Sequence, residues 1–314
     1  MKDALSAIRS TFAAQGGAGE PRQGPPPEGA ESAAEPALRD RRRGREYRRQ
    51  QIIAVTSGKG GVGKSNLAAG LAILLSASGV KVALVDVDLG MGNLDVLLGV
   101  TGGPTLNDVL AGRKSIGDVL QALPCGVDLA TGSSASSSAN VLDPQRRRSL
   151  LEGLQAVRDQ HDLVILDCGS GLGREVTDFC EIADQVLVTT TPEPTALTDA
   201  YGMIKALVVS GYAGRISILV NFAADRNEAK QTYARIASVA NQFLGRAVYD
   251  AGYVLEDPKI PAAVRKREPF VLAFPNCPAT RCLTALAVKI RPREVSAKSP
   301  RKAGLIRRII EWLE

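Results

Sequence analysis

The sequence predicts an α/β fold, a mostly parallel twisted sheet with helices on both faces, and three observations predict it. Short runs of consecutive apolar residues recur along the chain, as strands buried on both faces require. Between them lie longer stretches with apolar residues at helical spacing. Aromatic residues make up 4% of a chain that is 45% apolar, so the core must be built mainly from Val, Leu, Ile and Ala. Strand and helix signals in alternation give a parallel sheet, whose ligands gather at the carboxyl ends of the strands.

Taken in order, Lys2 to Ala14 reads as one short helix, a candidate partner-binding element over residues 1–14. Residues 15–51 are rich in Gly, Pro, Ala and Glu and then in Arg, from Arg39 to Arg49. With almost no apolar periodicity they read as a flexible linker. Ile52 to Thr56 is a buried strand ending in a glycine-rich loop, and Asn66 to Ser78 follows with Leu67, Leu71, Leu74 and Leu75 at helical spacing. Val80 to Val85, Leu163 to Leu166, Val186 to Thr190 and Ile216 to Val220 repeat the strand type, with helices predicted over 146–158, 196–209 and 228–243. The folded body therefore spans 52–290, followed by a basic linker, 291–303, and a terminal helix, 304–314.

Length and charge narrow the classes. A chain of 314 residues can bury the core of one large α/β domain or two small ones. No uninterrupted apolar run approaches the roughly 18 residues of a spanning helix, and no apolar stretch follows the first basic residue as a secretory signal would. Five scattered cysteines, Cys125, Cys168, Cys180, Cys277 and Cys282, form no CxxC pair and fit a reducing cytosol. The single histidine, His161, cannot build a His-based metal site and reads as ordinary. Of the net charge of +6, residues 1–51 carry +3 and residues 291–314 carry +4, leaving −1 for the body. Any partner attracted by positive charge should therefore meet the flanks.

GKGGVGKS, Gly58 to Ser65, satisfies G-x-x-x-x-G-K-[ST] between a predicted strand and a predicted helix, the context that makes this a phosphate loop. Gly58, Gly60, Gly61 and Gly63 permit backbone angles that turn successive N–H groups inward at a helix N-terminus. Lys64 supplies a cation to the β- and γ-phosphates of ATP, and the Ser65 hydroxyl can ligate Mg²⁺. Val62 and Asn66 complete the expected nucleotide contacts of this segment. The fold is accordingly that of a P-loop NTPase.

Carboxylates fall where such a site needs them. In VALVDVDLGMGNLD, Asp86 and Asp88 lie two apart at a strand end, so alternation puts them on one side if the strand continues that far. One is then placed for the Mg²⁺ shell and the other for the attacking water. Gly90, Gly92 and Asn93 give a segment able to respond to a γ-phosphate. LVILD ends a buried strand at Asp167, the Walker B pattern and a further Mg²⁺ ligand position. The CGSGLG that follows offers Gly169 or Gly171 as a backbone N–H sensor, with Cys168 read as structural. Asn221, just past an apolar strand, has an amide able to pair with an adenine edge.

The loop with its second lysine, Lys59, resembles the deviant Walker A ATPases, the ParA, MinD, FlhG and nitrogenase iron-protein relatives. That resemblance covers residues 52 to about 290. It implies that Lys59 reaches across an ATP-bound homodimer to the partner's phosphates, that Asp88 orients the attacking water, and that Asn221 meets the base. Three stretches resemble the FlhG branch, also called FleN: DLGMGNLDVLLG, TTPEPTALTDAYGMIK and VRKREPFVLAFPNCPATR. This branch implies control of flagellar number and placement. It also implies an N-terminal DQAxxLR helix acting on an FlhF-like signal-recognition-type GTPase. Asp3, Ile8 and Arg9 keep that spacing, whereas Ala4 and Leu5 stand where the motif has Gln and Ala. Leu255 stands where the family has Pro in its base-packing loop, beside Glu256.

GLIRRIIEWLE, at the C-terminus, sets Leu305, Ile306, Ile309, Ile310, Trp312 and Leu313 mostly on one helical face. Arg307, Arg308 and Glu311 occupy the other, a pattern that fits an interfacial helix with two copies per dimer. The expected protein is a slow ATPase, cytosolic when ADP-bound or empty and peripheral at the inner face of the cell membrane with ATP. The alternatives are a MinD-like division or ParA-like partition ATPase, or a redox enzyme on the same fold, for which the cysteine pairs are missing. Nucleic acid is not an expected partner, because the arginine run sits in the linker.

Overall fold

The computed structural model describes residues 1–16, 50–88, 90, 92–132 and 144–292. The predicted linker, the basic segment and the terminal helix fall almost wholly outside the described residues.

The chain order is α1 (Lys2–Gly16), β1 (Gln51–Ser57), α2 (Lys64–Ala77), β2 (Val82–Asp86), α3 (Leu94–Leu98), α4 (Leu106–Leu110), α5 (Ile116–Val119), β3 (Gln121–Ala122) and β4 (Val127–Ala130). Then come α6 (Pro144–Gln160), β5 (Leu163–Ser170), α7 (Arg174–Glu181), β6 (Gln185–Thr190), α8 (Pro194–Val209), β7 (Arg215–Ala223) and α9 (Arg226–Leu244). The last elements are β8 (Tyr249–Leu255), α10 (Lys259–Arg265), α11 (Phe270–Ala273) and α12 (Pro278–Ile290).

Eight strands form one sheet in the order β3-β4-β2-β5-β1-β6-β7-β8, parallel except where β3 meets β4. The central strands are apolar because both faces are covered: β2 and β6 are buried at every position. One core, under α6 to α9, takes Ile52, Val85, Leu166, Val188 and Val220. The other, under α2, α11 and α12, takes Ile53, Leu84, Ile165, Leu187 and Leu219. Successive residues thus alternate between the two cores, as the pleat requires. Full burial of so many Val, Ile and Leu side chains, at about 1.5–3 kcal/mol each, is what holds the sheet together.

β1 lies between β5 and β6, so the chain moves outward past β5 to β2, returns, and crosses β1 to reach β6. This reversal opens a crevice at the carboxyl ends of the central strands, and the glycine-rich loop leaves β1 into it.

Several expectations change on inspection. The strand expected to carry Asp86 and Asp88 together stops at Asp86, so their placement on one side does not come from strand alternation. α1 runs to Gly16, two residues into the segment read as linker, and β1 starts at Gln51. His161 is buried, its Nε2 2.9 Å from Asp128 Oδ2 and its Nδ1 2.7 Å from the Val157 carbonyl. It therefore ties β4 to α6.

Candidate nucleotide site

α2 begins at Lys64 because Gly63, at φ 83°, turns the chain into the helix in the left-handed region. A side chain there would also strike the Asn221 amide nitrogen, so the position is closed to other residues on two counts. At the other end of the loop Gly58 lies against the Asp199 backbone of α8, leaving no room for a Cβ. The loop is therefore clamped between α8 and β7. Ser57 Oγ donates to the Lys59 carbonyl at 2.8 Å, and Thr56 Oγ1 donates to the Gly169 carbonyl at 3.2 Å, fastening it to the end of β5. Gly60 and Val62 lie within this clamp, and the Val62 carbonyl faces Asn221.

The two lysines of the loop differ sharply. Lys64 is buried, with Nζ 2.7 Å from Asp167 Oδ1 and 3.4 Å from Ser65 Oγ. Burial works to lower its pKa, but the Asp167 carboxylate outweighs burial and holds the ammonium above its ordinary value. Lys59 points outward, its side chain 40% exposed, and reaches Glu193 Oε2 at 3.1 Å and Thr195 Oγ1 at 3.2 Å. A half-exposed pair of this kind is worth roughly 0–1 kcal/mol and exchanges readily.

β2 and β5 pair in register, so Asp86 stands directly beside Asp167. Asp86 Oδ1 accepts the Asp88 N–H at 3.2 Å and Oδ2 accepts the Leu94 N–H at 3.3 Å, at the start of α3. Gly92 and Gly132 close around this carboxylate, and a Cβ at Gly92 would sit 2.6 Å from Oδ2. Burial, then the neighbouring Asp167 charge, push the Asp86 carboxyl up to about 7. Burial also works to raise Asp167, with Lys64 opposing it. Two carboxylates and the Ser65 hydroxyl thus converge on one small volume. A Mg²⁺ that keeps several waters and shares phosphate oxygens asks for no larger set.

The raised Asp86 pKa has a consequence for stability. The folded chain holds a proton on Asp86 up to about pH 7, whereas the unfolded chain releases it near the ordinary value of 3.8. Native stability should therefore fall, by an amount on the order of a few kcal/mol, as pH rises from about 4 to about 7, and level off above that. Thermal melts of the nucleotide-free protein from pH 5 to 8 measure it. Asp86→Asn should flatten the slope and melt higher at pH 8, and an unchanged slope in that variant assigns it elsewhere.

Asn221, at the end of β7 and buried, donates through Nδ2 to the Val62 carbonyl at 2.8 Å. Its Oδ1 finds no partner among the described residues, and neither do Asn66 Oδ1 and the Thr189 and Thr191 hydroxyls at the end of β6. A buried unpaired acceptor is costly, so a ligand donor is the expected complement. One Nδ2 hydrogen is spent on Val62, so the amide keeps an unpaired acceptor in Oδ1 and a second N–H donor. An acceptor and a donor side by side match the pattern of an adenine edge, the partner expected for Asn221 from the sequence.

Of the candidate sensors, Gly171 sits at φ 110° with its N–H donated to the Ser57 carbonyl at 3.0 Å, so it is already engaged. This differs from the expectation that the N–H faces a γ-phosphate. Asp88 lies across from Gly169, where a Cβ would approach its Oδ1 to 3.6 Å. Cys168 is fully buried. Leu255 ends β8, and Glu256 donates its N–H to the Ala223 carbonyl at 2.9 Å. Sequence reasoning named neither Glu193 nor Thr195, and it named Gly92 for mobility rather than for its packing against Asp86. The TTPEPT stretch was visible, but nothing in one sequence says which carboxylate meets Lys59.

A family model described as an AAA domain matches residues 50–209. The antiactivator FleN of Pseudomonas aeruginosa is 37% identical over 76% of this chain and 86% of its own length. The flagellum site-determining protein YlxH of Helicobacter pylori is 30% identical over 84% of this chain and 90% of its own. Among solved structures, the septum site-determining protein MinD of Pyrococcus horikoshii, complexed with Mg-ADP, superposes with a TM-score of 0.61 at 26% identity, over 76% of this chain and 94% of that one. A buried lysine–carboxylate pair under a glycine loop, a second carboxylate in register and an orphaned amide oxygen near the end of β7 fit ATP and Mg²⁺ as ligands. The chain belongs to the family of P-loop ATPases that holds FleN, YlxH and MinD.

Proposed function

We propose that the protein is an ATP-driven switch in the control of flagellar number and placement; the flagellum site-determining relative's name supports placement, and the antiactivator's name supports a regulatory role. In this reading Lys64 steadies the β- and γ-phosphates, Asp86, Asp167 and Ser65 hold Mg²⁺, and Asp88 orients the attacking water. When bound, Mg²⁺ supplies charge neutralisation between phosphate oxygens. Lys59 completes the site of a second copy, so ATP drives a homodimer. One observation carries this: the loop has two lysines, and only Lys64 is turned into its own site, while Lys59 faces outward in a weak, half-exposed pair. Among the described residues no general base with a strongly favourable setting and no in-cis arginine is evident, and in this reading turnover is slow without a stimulating partner.

The dimer then carries two copies of residues 304–314 to the inner face of the cell membrane, each weak alone and together much stronger. No helix among the described residues is long and apolar enough to cross a membrane, so contact is peripheral in this reading. An FlhF-like GTPase is the proposed partner of the N-terminal helix, through Asp3, Ile8 and Arg9. The MinD likeness supports division-site placement as the second reading.

ATP turnover with and without anionic lipid vesicles tests the switch, comparing the full chain with one truncated before Gly304. Vesicles should stimulate the full chain several-fold and leave the truncated chain unchanged. Equal response of the two chains overturns the role of the tail.

A further inference from the structure

α1 is helical over Lys2–Gly16 and carries a narrow apolar stripe. Leu5, Ile8 and Phe12 recur at the spacing that places them on one face, while Asp3, Ser6, Arg9 and Ser10 are exposed on the other. That stripe is docked. α1 rests on α12, α2 and α11, and Ile8 and Phe12, 1% and 8% exposed, join the core cluster that includes Leu71, Phe270 and Leu283. The walls of this groove are tightly fitted. A Cβ at Gly70 of α2 would lie 2.8 Å from Leu283 Cδ2 of α12 and 3.2 Å from Val271 Cγ1 of α11. The groove is thus continuous with the helix that starts at the phosphate loop.

A helix of 15 residues is marginal in water without a surface to rest on. The side-chain hydroxyls of Ser10 and Thr11 turn back to the Ser6 and Ala7 carbonyls, both at 3.0 Å, rather than out to the body. Among the described side chains the attachment rests on one apolar stripe, and residues 17–50 join α1 to β1. A chain of that length spans at most roughly 110 Å, so α1 can leave the groove without leaving the molecule.

We propose that the groove between α2, α11 and α12 is a docking surface for an amphipathic helix, that α1 fills it reversibly in cis, and that a partner using Ile8 of α1 must first withdraw it. The Ile8 side chain, fully buried in the docked helix, cannot be buried in two places. Docking in cis is therefore a competitor for every helix-in-groove partner of α1. This holds whether or not the nucleotide drives dimerisation.

Hydrogen exchange read by mass spectrometry on the full chain decides it. Amides of residues 5–12 should exchange about 10-fold or more slowly in the wild type than in Ile8→Asp, yet at least about 100-fold faster than those of β1. β1 protection should be unchanged in Ile8→Asp, and Arg9→Ala, on the exposed face, should match the wild type. A labelled peptide of residues 2–16 should bind Ile8→Asp at least about 10-fold more tightly than the wild type, whose groove is filled. Residues 5–12 exchanging alike in wild type and Ile8→Asp, exchanging together with β1, or loss of β1 protection in Ile8→Asp each overturn the proposal. Equal peptide binding by the two chains does the same.

Discussion

Replacing Lys64 with methionine should abolish ATP turnover and weaken Mg·ATP binding about 100-fold or more while leaving the protein folded. The ammonium serves two acceptors in turn. Without ligand it lies 2.7 Å from Asp167 Oδ1, in a pair whose side chains are 9% and 1% exposed. In the proposed reading the same cation neutralises the β- and γ-oxygens when a triphosphate is bound. Hydrogen bonds to charged groups are worth roughly 1.5–3 kcal/mol each, so losing one or two costs about 10- to 100-fold or more in affinity. Turnover should fall further, by about 10³-fold, because the cation acts most strongly on the charge that develops during transfer.

The fold should survive because the orphaned carboxylate has an escape. Asp86 and Asp167 are register partners, and two adjacent buried carboxylates do not both ionise. With Asp86 already pushed up to about 7, a proton can be shared across the pair when the lysine is gone. Isothermal calorimetry with Mg·ATP and thermal melts at pH 6 and pH 8 check both halves. Retained binding within a few-fold of wild type would place the phosphates elsewhere than beside Lys64. A variant unfolded at pH 6 would show that the ion pair is needed for the fold rather than for the ligand.

How much of this was legible in the sequence depends on where each signal lived. The phosphate loop, the strand that carries Asp167 and the amide at Asn221 were readable because local spacing and a continuous apolar run mark them, although that strand runs on to Ser170 rather than ending at Asp167. β8, Tyr249–Leu255, was not. It is a half-buried edge strand with Gly252 at φ 127°, so neither a long apolar run nor strict alternation announces it. β4 has four residues, and α3, α4 and α5 have four or five each, too short for helical periodicity to register. The proximity of Asp86 to Asp88 was anticipated through alternation. In the structure the strand ends first, and a hydrogen bond from the Asp88 backbone to the Asp86 carboxylate brings them together. The pairing of Lys59 with Glu193 joins residues far apart in the chain, and the docking of Ile8 spans the whole linker. Contacts of that separation are set by topology, which one sequence does not display.

Replacing Asp88 with alanine should separate binding from turnover. Asp88 stands just past β2, half-buried, with its backbone N–H on Asp86 and its carboxylate opposite the Gly169 segment. Its charge acts on Lys64 only as a minor contribution, behind that of Asp167, so removing it should leave Mg·ATP affinity within a few-fold. Its proposed work lies in the hydrolytic step, where a positioned carboxylate contributes about 10²- to 10⁴-fold. ATP then persists, Lys59 keeps its phosphate partner, and the dimer has no route to fall apart. Size-exclusion chromatography of Asp88→Ala with saturating Mg·ATP should show a stable dimer that reverts to monomer with ADP. A monomer under those conditions, with ATP demonstrably bound, would mean that Lys59 stays with Glu193 and that the outward lysine is a surface residue. Turnover unchanged in the variant would instead remove Asp88 from the reaction and point to a water oriented by the Cys168–Gly171 segment.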